Sequence, residues 1–140
     1  MKTLIVEDDM SSRFIMQAFL TRYGECFVAV NGREAVDAFR LARDEGKPYD
    51  LICMDIMMPE MDGQEALEQI RGLEESEDVP SSQSVRIFMT TALQDTKNVM
   101  TAFRSLCDAY LFKPIDQNKL LENLQKFELI PPAGTNRPQT

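Results

Sequence analysis

Short apolar runs recur along this 140-residue chain at nearly regular intervals, and the stretches between them carry the 3.6-residue spacing of one-sided helices. That alternation is the strongest constraint on the fold, because strands separated by segments of this length pair in parallel through crossover connections. The runs cover residues 3–6, 26–30, 51–54, 85–90 and 109–112. The first helix is expected from near Met10, with Phe14, Ile15, Ala18 and Phe19 as the stripe facing the sheet, until Gly24 stops it. Ala35, Val36, Phe39 and Ala42 repeat the pattern, as do Ala66, Leu67 and Ile70 after Gly63. A fourth helix is expected over 95–106, and Leu120, Leu121, Leu124 and Phe127 line a fifth. Residues 51–54 and 87–89 are apolar on both faces, as strands covered from two sides must be. The pattern predicts an α/β fold: a doubly wound, five-stranded parallel sheet with five helices.

An apolar content of 44% suffices for a single core, so one domain is expected over residues 1–127. The segment 128–140 ends in "PPAGTNRPQT", without apolar periodicity, and is expected to be disordered. The acidic, Ser-rich stretch 72–85 reads as a solvated surface connection. A formal charge of -8 with no basic cluster argues against a nucleic-acid partner. Histidine is absent, so any histidine chemistry must come from another protein. Cys26, Cys53 and Cys107 are odd in number and sit within apolar runs, which fits buried free thiols in a reducing compartment, the cytoplasm. The apolar run after Lys2 is too short for a signal sequence or a membrane span.

The informative residues stand at the carboxyl ends of four runs: Glu7, Asp8 and Asp9, then Asp55, then Thr90 and Thr91, and finally Lys113. Ligands of open parallel sheets bind outside those ends, where the strand order reverses. In the order 2-1-3-4-5, strands one and three are neighbours about 4.8 Å apart and their carboxylates converge. Carboxylates so close cannot all stay ionised without a cation, and hard oxygen ligands suit Mg²⁺. A carboxylate beside such an ion can attack a phosphoryl group to form an aspartyl phosphate. Lys113 and the Thr91 hydroxyl would meet the transferring oxygens.

"LIVEDD", "MDIMMPEMDG", "MTTA" and "YLFKP", in this order and each at a strand end, resemble the response-regulator receiver domain over about residues 2–127. The resemblance implies a flavodoxin-like sheet with Asp55 as phosphoacceptor. It implies Glu7 and Asp8 as the acidic metal pair, Asp8 binding Mg²⁺ directly and Glu7 largely through water. The backbone carbonyl of Met57 would be the third protein ligand. Thr91 becomes the hydroxyl that swings toward the phosphoryl group, and Tyr110 the aromatic whose rotamer reports that movement. Lys113 is followed by Pro114 with a cis peptide bond. Asp9 stays outside the metal set, as a residue favouring the start of the first helix. The implied protein is a stand-alone switch in a two-component phosphorelay and not an enzyme. It would be charged by a histidine kinase or phosphotransfer protein that meets the first helix. Its output would be protein contacts through the face of the fourth helix, fifth strand and fifth helix, as a monomer or a phosphorylation-dependent dimer, with no membrane partner.

Two features depart from the family pattern. "RSLCDAY" places Leu106 and Cys107 where the family commonly has a small residue and glycine, so the end of the fourth helix is expected to turn differently. Met57 and Leu93 stand where many relatives carry polar groups that position a hydrolytic water, which implies a long-lived phosphoryl group. Two rival readings remain. A phosphatase of the haloacid-dehalogenase type shares the strand-end aspartate, Mg²⁺, threonine and lysine but needs a second aspartate where this chain has Met57. A receiver-like interaction module without phosphorylation would not need Glu7, Asp8, Asp55, Thr91 and Lys113 together.

Overall fold

The computed structural model describes residues 1–58, 60–92 and 106–131. In chain order the elements are β1 (Thr3–Val6), α1 (Met10–Leu20), β2 (Cys26–Ala29), α2 (Gly32–Asp44), β3 (Leu51–Asp55), α3 (Gly63–Ser76), β4 (Arg86–Ala92), β5 (Ala109–Lys113) and α4 (Gln117–Lys126). All pairings are parallel and the sheet order is β2-β1-β3-β4-β5. The helix expected over 95–106 and Leu93 fall outside the described residues, apart from Leu106 itself.

Each described helix opens on a side-chain cap: Asp9, Asn31, Asp62 and Asp116 each accept a backbone N–H from the first turn. Strand alternation then divides the core into two layers. Leu4, Val6, Ile52, Met54, Ile87 and Met89 face α2 and α3, where Phe39, Leu67 and Ile70 pack. Ile5, Leu51, Cys53 and Phe88 face α1 and α4 with Met16, Leu20, Leu120 and Leu124. β3 is buried along its whole length, as its two-sided apolar run requires. Among the described residues, no helix is long and apolar enough to cross a membrane.

Three expectations are corrected. α1 buries Met16 and Leu20, while Phe14 and Ile15 are exposed. Two apolar stripes share this helix, and the Asp9 cap together with the Arg13 guanidinium on the Glu7 carbonyl (3.0 Å) fixes which one meets the sheet. The stretch 72–85 is not all surface connection, because α3 runs to Ser76 and Glu74 is buried. The chain also stays packed past residue 127. Glu128 adopts the left-handed region at φ 60°, and the Leu129 N–H bonds back to the Leu124 carbonyl at 2.9 Å, which turns Leu129 and Ile130 onto the core. Residues 132–140 lie outside the described ones.

Glu74 belongs to a network at the amino ends of β4 and β5. Arg71 donates to Glu74 (2.8 Å), Asp108 (3.1 Å) and the carbonyls of Val85 (2.8 Å) and Leu106 (2.7 Å). Glu74 also accepts the Val85 N–H, and Asp108 the Ile87 N–H, both at 2.8 Å. The chain at Leu106 and Cys107, where the family pattern is broken, is therefore fastened to α3.

Candidate functional site

β1 and β3 are adjacent with Val6 in register with Met54, so the residues that follow, Glu7 just past β1 and Asp55 closing β3, lie side by side at the end of the sheet. Ligand oxygens of Glu7, Asp8 and Asp55 all lie within 4.8 Å of one another. Glu7 and Asp55 are buried and Asp8 is exposed. Lys113 closes β5 and reaches across β4, its Nζ 2.7 Å from Glu7 Oε1 and 3.3 Å from Asp55 Oδ2. The Lys113–Pro114 peptide is cis, as expected. The sequence thus names four residues from three strands that the fold gathers at one end of the sheet.

The electrostatics follow from burial. Loss of water pushes the Glu7 carboxyl up to about 7; its hydrogen bond with Lys113 opposes the shift and the Asp55 carboxylate adds to it. Burial works against charge on Lys113 too, but the two carboxylates outweigh it and its pKa is raised. Asp9 is held below the usual carboxylate range by the backbone N–H and side chain of Ser12, the signature of a cap. The donor set, three clustered carboxylates with one exposed to solvent, fits a hard divalent cation.

Thr90, not Thr91, is in register with Asp55, and Thr90 lines a cavity of about 110 Å³ with Glu7, Ser12, Ile15, Met16 and Lys113. Strand alternation gives Thr91 the opposite face, where its hydroxyl is buried and lies 3.4 Å from the Ala92 carbonyl. Tyr110 is half-buried against the α2–α3 core and shares a hydrogen bond with the Cys107 thiol. Met57 is 63% exposed, and its N–H approaches Asp55 Oδ1 at 3.4 Å. Reading the sequence missed Arg13, which anchors Glu7. Arg13 lies one turn into α1 and carries no motif of its own, so no local signal marks it.

Gly63, at the start of α3, lets that helix approach the site. A Cβ there would sit 2.2 Å from the Asp55 carbonyl oxygen, and the Gly63 N–H instead donates to the Ile56 carbonyl at 2.8 Å.

Known proteins are similar to this chain in sequence and in fold. Chemotaxis protein CheY of Listeria monocytogenes is 33% identical over 128 residues, covering 90% of this chain and 97% of that protein. Transcriptional regulatory protein ZraR of Salmonella typhimurium is 32% identical over 124 residues, 88% of this chain, which spans only 25% of that protein. Among solved structures, the magnesium-bound receiver domain of sensor histidine kinase PA1611 from Pseudomonas aeruginosa is 26% identical at a TM-score of 0.72, covering 90% of this chain and 95% of that one. The receiver domain of Ssk1 from Saccharomyces cerevisiae, solved with the phosphotransfer protein Ypd1, is 30% identical at a TM-score of 0.73 over 91% of this chain and 88% of that one. The family model for the response regulator receiver domain matches residues 3–125, and the chain belongs to that family.

Proposed function

We propose that this receiver domain is a phosphoacceptor switch of a two-component phosphorelay, with Asp55 as the accepting residue. The observation that carries the reading is the Glu7, Asp8 and Asp55 cluster bridged by Lys113 at the switch point of the sheet. An Asp55 carboxylate oxygen attacks the phosphorus of a phosphohistidine on a kinase or phosphotransfer protein. The P–N bond breaks as the new P–O bond forms, and the imidazole leaves neutral after taking up a proton. Glu7, Asp8 and Asp55 would hold Mg²⁺, which when bound neutralises charge on the transferring oxygens. Lys113 shifts from its two carboxylates toward the phosphoryl group. The Thr91 hydroxyl leaves the Ala92 carbonyl and swings round the end of β4 toward the same group, and Tyr110 carries the change to the output face on β5 and α4.

The donor docks on α1, where Met10, Phe14 and Ile15 are 73%, 71% and 46% exposed beside the site. The complex of the similar Ssk1 receiver domain with Ypd1 supports a protein partner of this kind. The free thiols support a reducing compartment such as the cytoplasm. Met57 offers no polar group to a hydrolytic water beside Asp55, which supports a phosphoryl group that outlasts seconds at neutral pH. The domain is a switch and not a turnover enzyme. Acetyl phosphate with and without EDTA tests this: a hydroxylamine-sensitive, Mg²⁺-dependent phosphoryl group without sustained hydrolysis of a phosphomonoester is expected. Steady turnover of p-nitrophenyl phosphate would favour a phosphatase instead.

A further inference from the structure

We propose that Asn31 and Glu60 form a clamp that positions the β3–α3 loop for chemistry at Asp55, which makes Asn31 a positioning residue; the inference rests on the phosphoacceptor reading above. The loop leaves β3 directly after Asp55 and carries the Met57 amide that approaches Asp55 Oδ1. Its near limb is fixed to β4 through the Ile56 N–H on the Thr90 carbonyl at 3.0 Å. Its far limb is held from α2. The Gly32 N–H donates to the Met61 carbonyl at 2.8 Å, and Asn31 Nδ2 donates to Glu60 Oε2 at 2.9 Å. The fit against α2 is close: a Cβ on Gly32 would sit 2.3 Å from the Met61 carbonyl oxygen.

Asn31 is buried, and both ends of its amide are used, since Oδ1 accepts the Glu34 N–H at 2.9 Å as the cap of α2. Glu60 has φ 66°, a left-handed conformation that is strained for a non-glycine residue. That conformation persists only where the surroundings hold it, and the Asn31 amide holds the Glu60 side chain while the Gly32 N–H holds the next residue's carbonyl. Release of Glu60 would let the backbone relax three residues from Met57, on the segment that borders the acidic cluster. A shift on the order of 1 Å at a reacting centre is enough to slow a step by orders of magnitude.

The test uses Asn31→Asp and the double variant Asn31→Asp/Glu60→Gln in the full chain. Aspartate caps α2 as well as asparagine does, but it sets a carboxylate against Glu60. The double variant restores the hydrogen bond in the reverse direction and the parent's net charge. Mg²⁺ binding is measured by calorimetry without any phosphodonor, and phosphoryl acceptance from acetyl phosphate by its rate. In Asn31→Asp both are expected to fall about tenfold, the size of effect seen when supporting partners of metal ligands are lost, and the double variant to recover most of each. An added carboxylate acting through charge alone would tighten cation binding, so a weakening reads the geometry. Parent-like behaviour of Asn31→Asp, or a double variant no better than the single one, would overturn the clamp. If the parent binds Mg²⁺ but accepts no phosphoryl group, the phosphoacceptor reading fails. The Mg²⁺ arm then still decides the clamp by loss and recovery of affinity. A parent that binds no Mg²⁺ overturns both.

Discussion

The Lys113 ammonium lies 2.7 Å from Glu7 Oε1, nearer than its 3.3 Å to Asp55 Oδ2, so the lysine at the end of β5 is paired first with the residue that follows β1. It supplies the countercharge of the acidic cluster, and a cation entering the site competes with it. Lys113→Met is expected to lower the stability of the metal-free protein by about 2 kcal/mol, less than for a fully buried pair because the lysine is partly exposed. The same change removes a competing positive charge and is expected to tighten Mg²⁺ binding while slowing phosphoryl acceptance. Urea unfolding in EDTA and calorimetry with Mg²⁺ check the two halves.

Glu7 makes the metal-free protein sensitive to pH. Its carboxyl is raised from 4.5 in the unfolded chain to about 7 in the folded one, so between those values the native state holds a proton that the unfolded state lacks. The stabilisation it provides is complete below about 4.5 and is lost as pH rises through about 7. Mg²⁺ competes with that proton, so its stabilising effect is expected to be larger at pH 8 than at pH 5.5. Urea midpoints across this range, in EDTA and in Mg²⁺, read the effect, and Glu7→Gln is expected to flatten the contribution.

Gly63→Ala places a methyl group 2.2 Å from the Asp55 carbonyl oxygen, and since the methyl is fixed rigidly to the α3 backbone and the oxygen is itself backbone, neither can give way without moving the site. Overpacking of this kind costs about 1–3 kcal/mol, and here the displaced segment is Asp55 itself. The variant is expected to lose stability and phosphoryl acceptance together, as measured by denaturation and by labelling from acetyl phosphate.

Arg71 offers a contrast. Arg71→Met leaves Glu74 buried without its charge partner and frees the Leu106 and Val85 carbonyls, for an expected loss of about 3 kcal/mol. The network sits at the amino ends of β4 and β5, opposite the site. The folded variant is therefore expected to accept phosphoryl groups at close to the parent rate.

The sheet and the acidic cluster were legible because their signals are local. An apolar run ending in a carboxylate marks Asp55, and Glu7, Asp8 and Lys113 close runs of the same kind. The buried faces of α2 and α3 follow from a single apolar stripe each. α1 misleads because it carries two stripes, and the choice depends on Asp9 and Arg13 acting from outside the pattern. The Asn31–Glu60 contact joins residues 29 apart, and the Arg71–Asp108 contact residues 37 apart, so neither leaves a trace in spacing.

The most direct test of the account is the intact mass of the full chain after incubation with Mg²⁺ and acetyl phosphate, beside Asp55→Asn. A gain of one phosphoryl group in the parent and none in the variant is expected. No gain in the parent, or an equal gain in both, would contradict Asp55 as the phosphoacceptor.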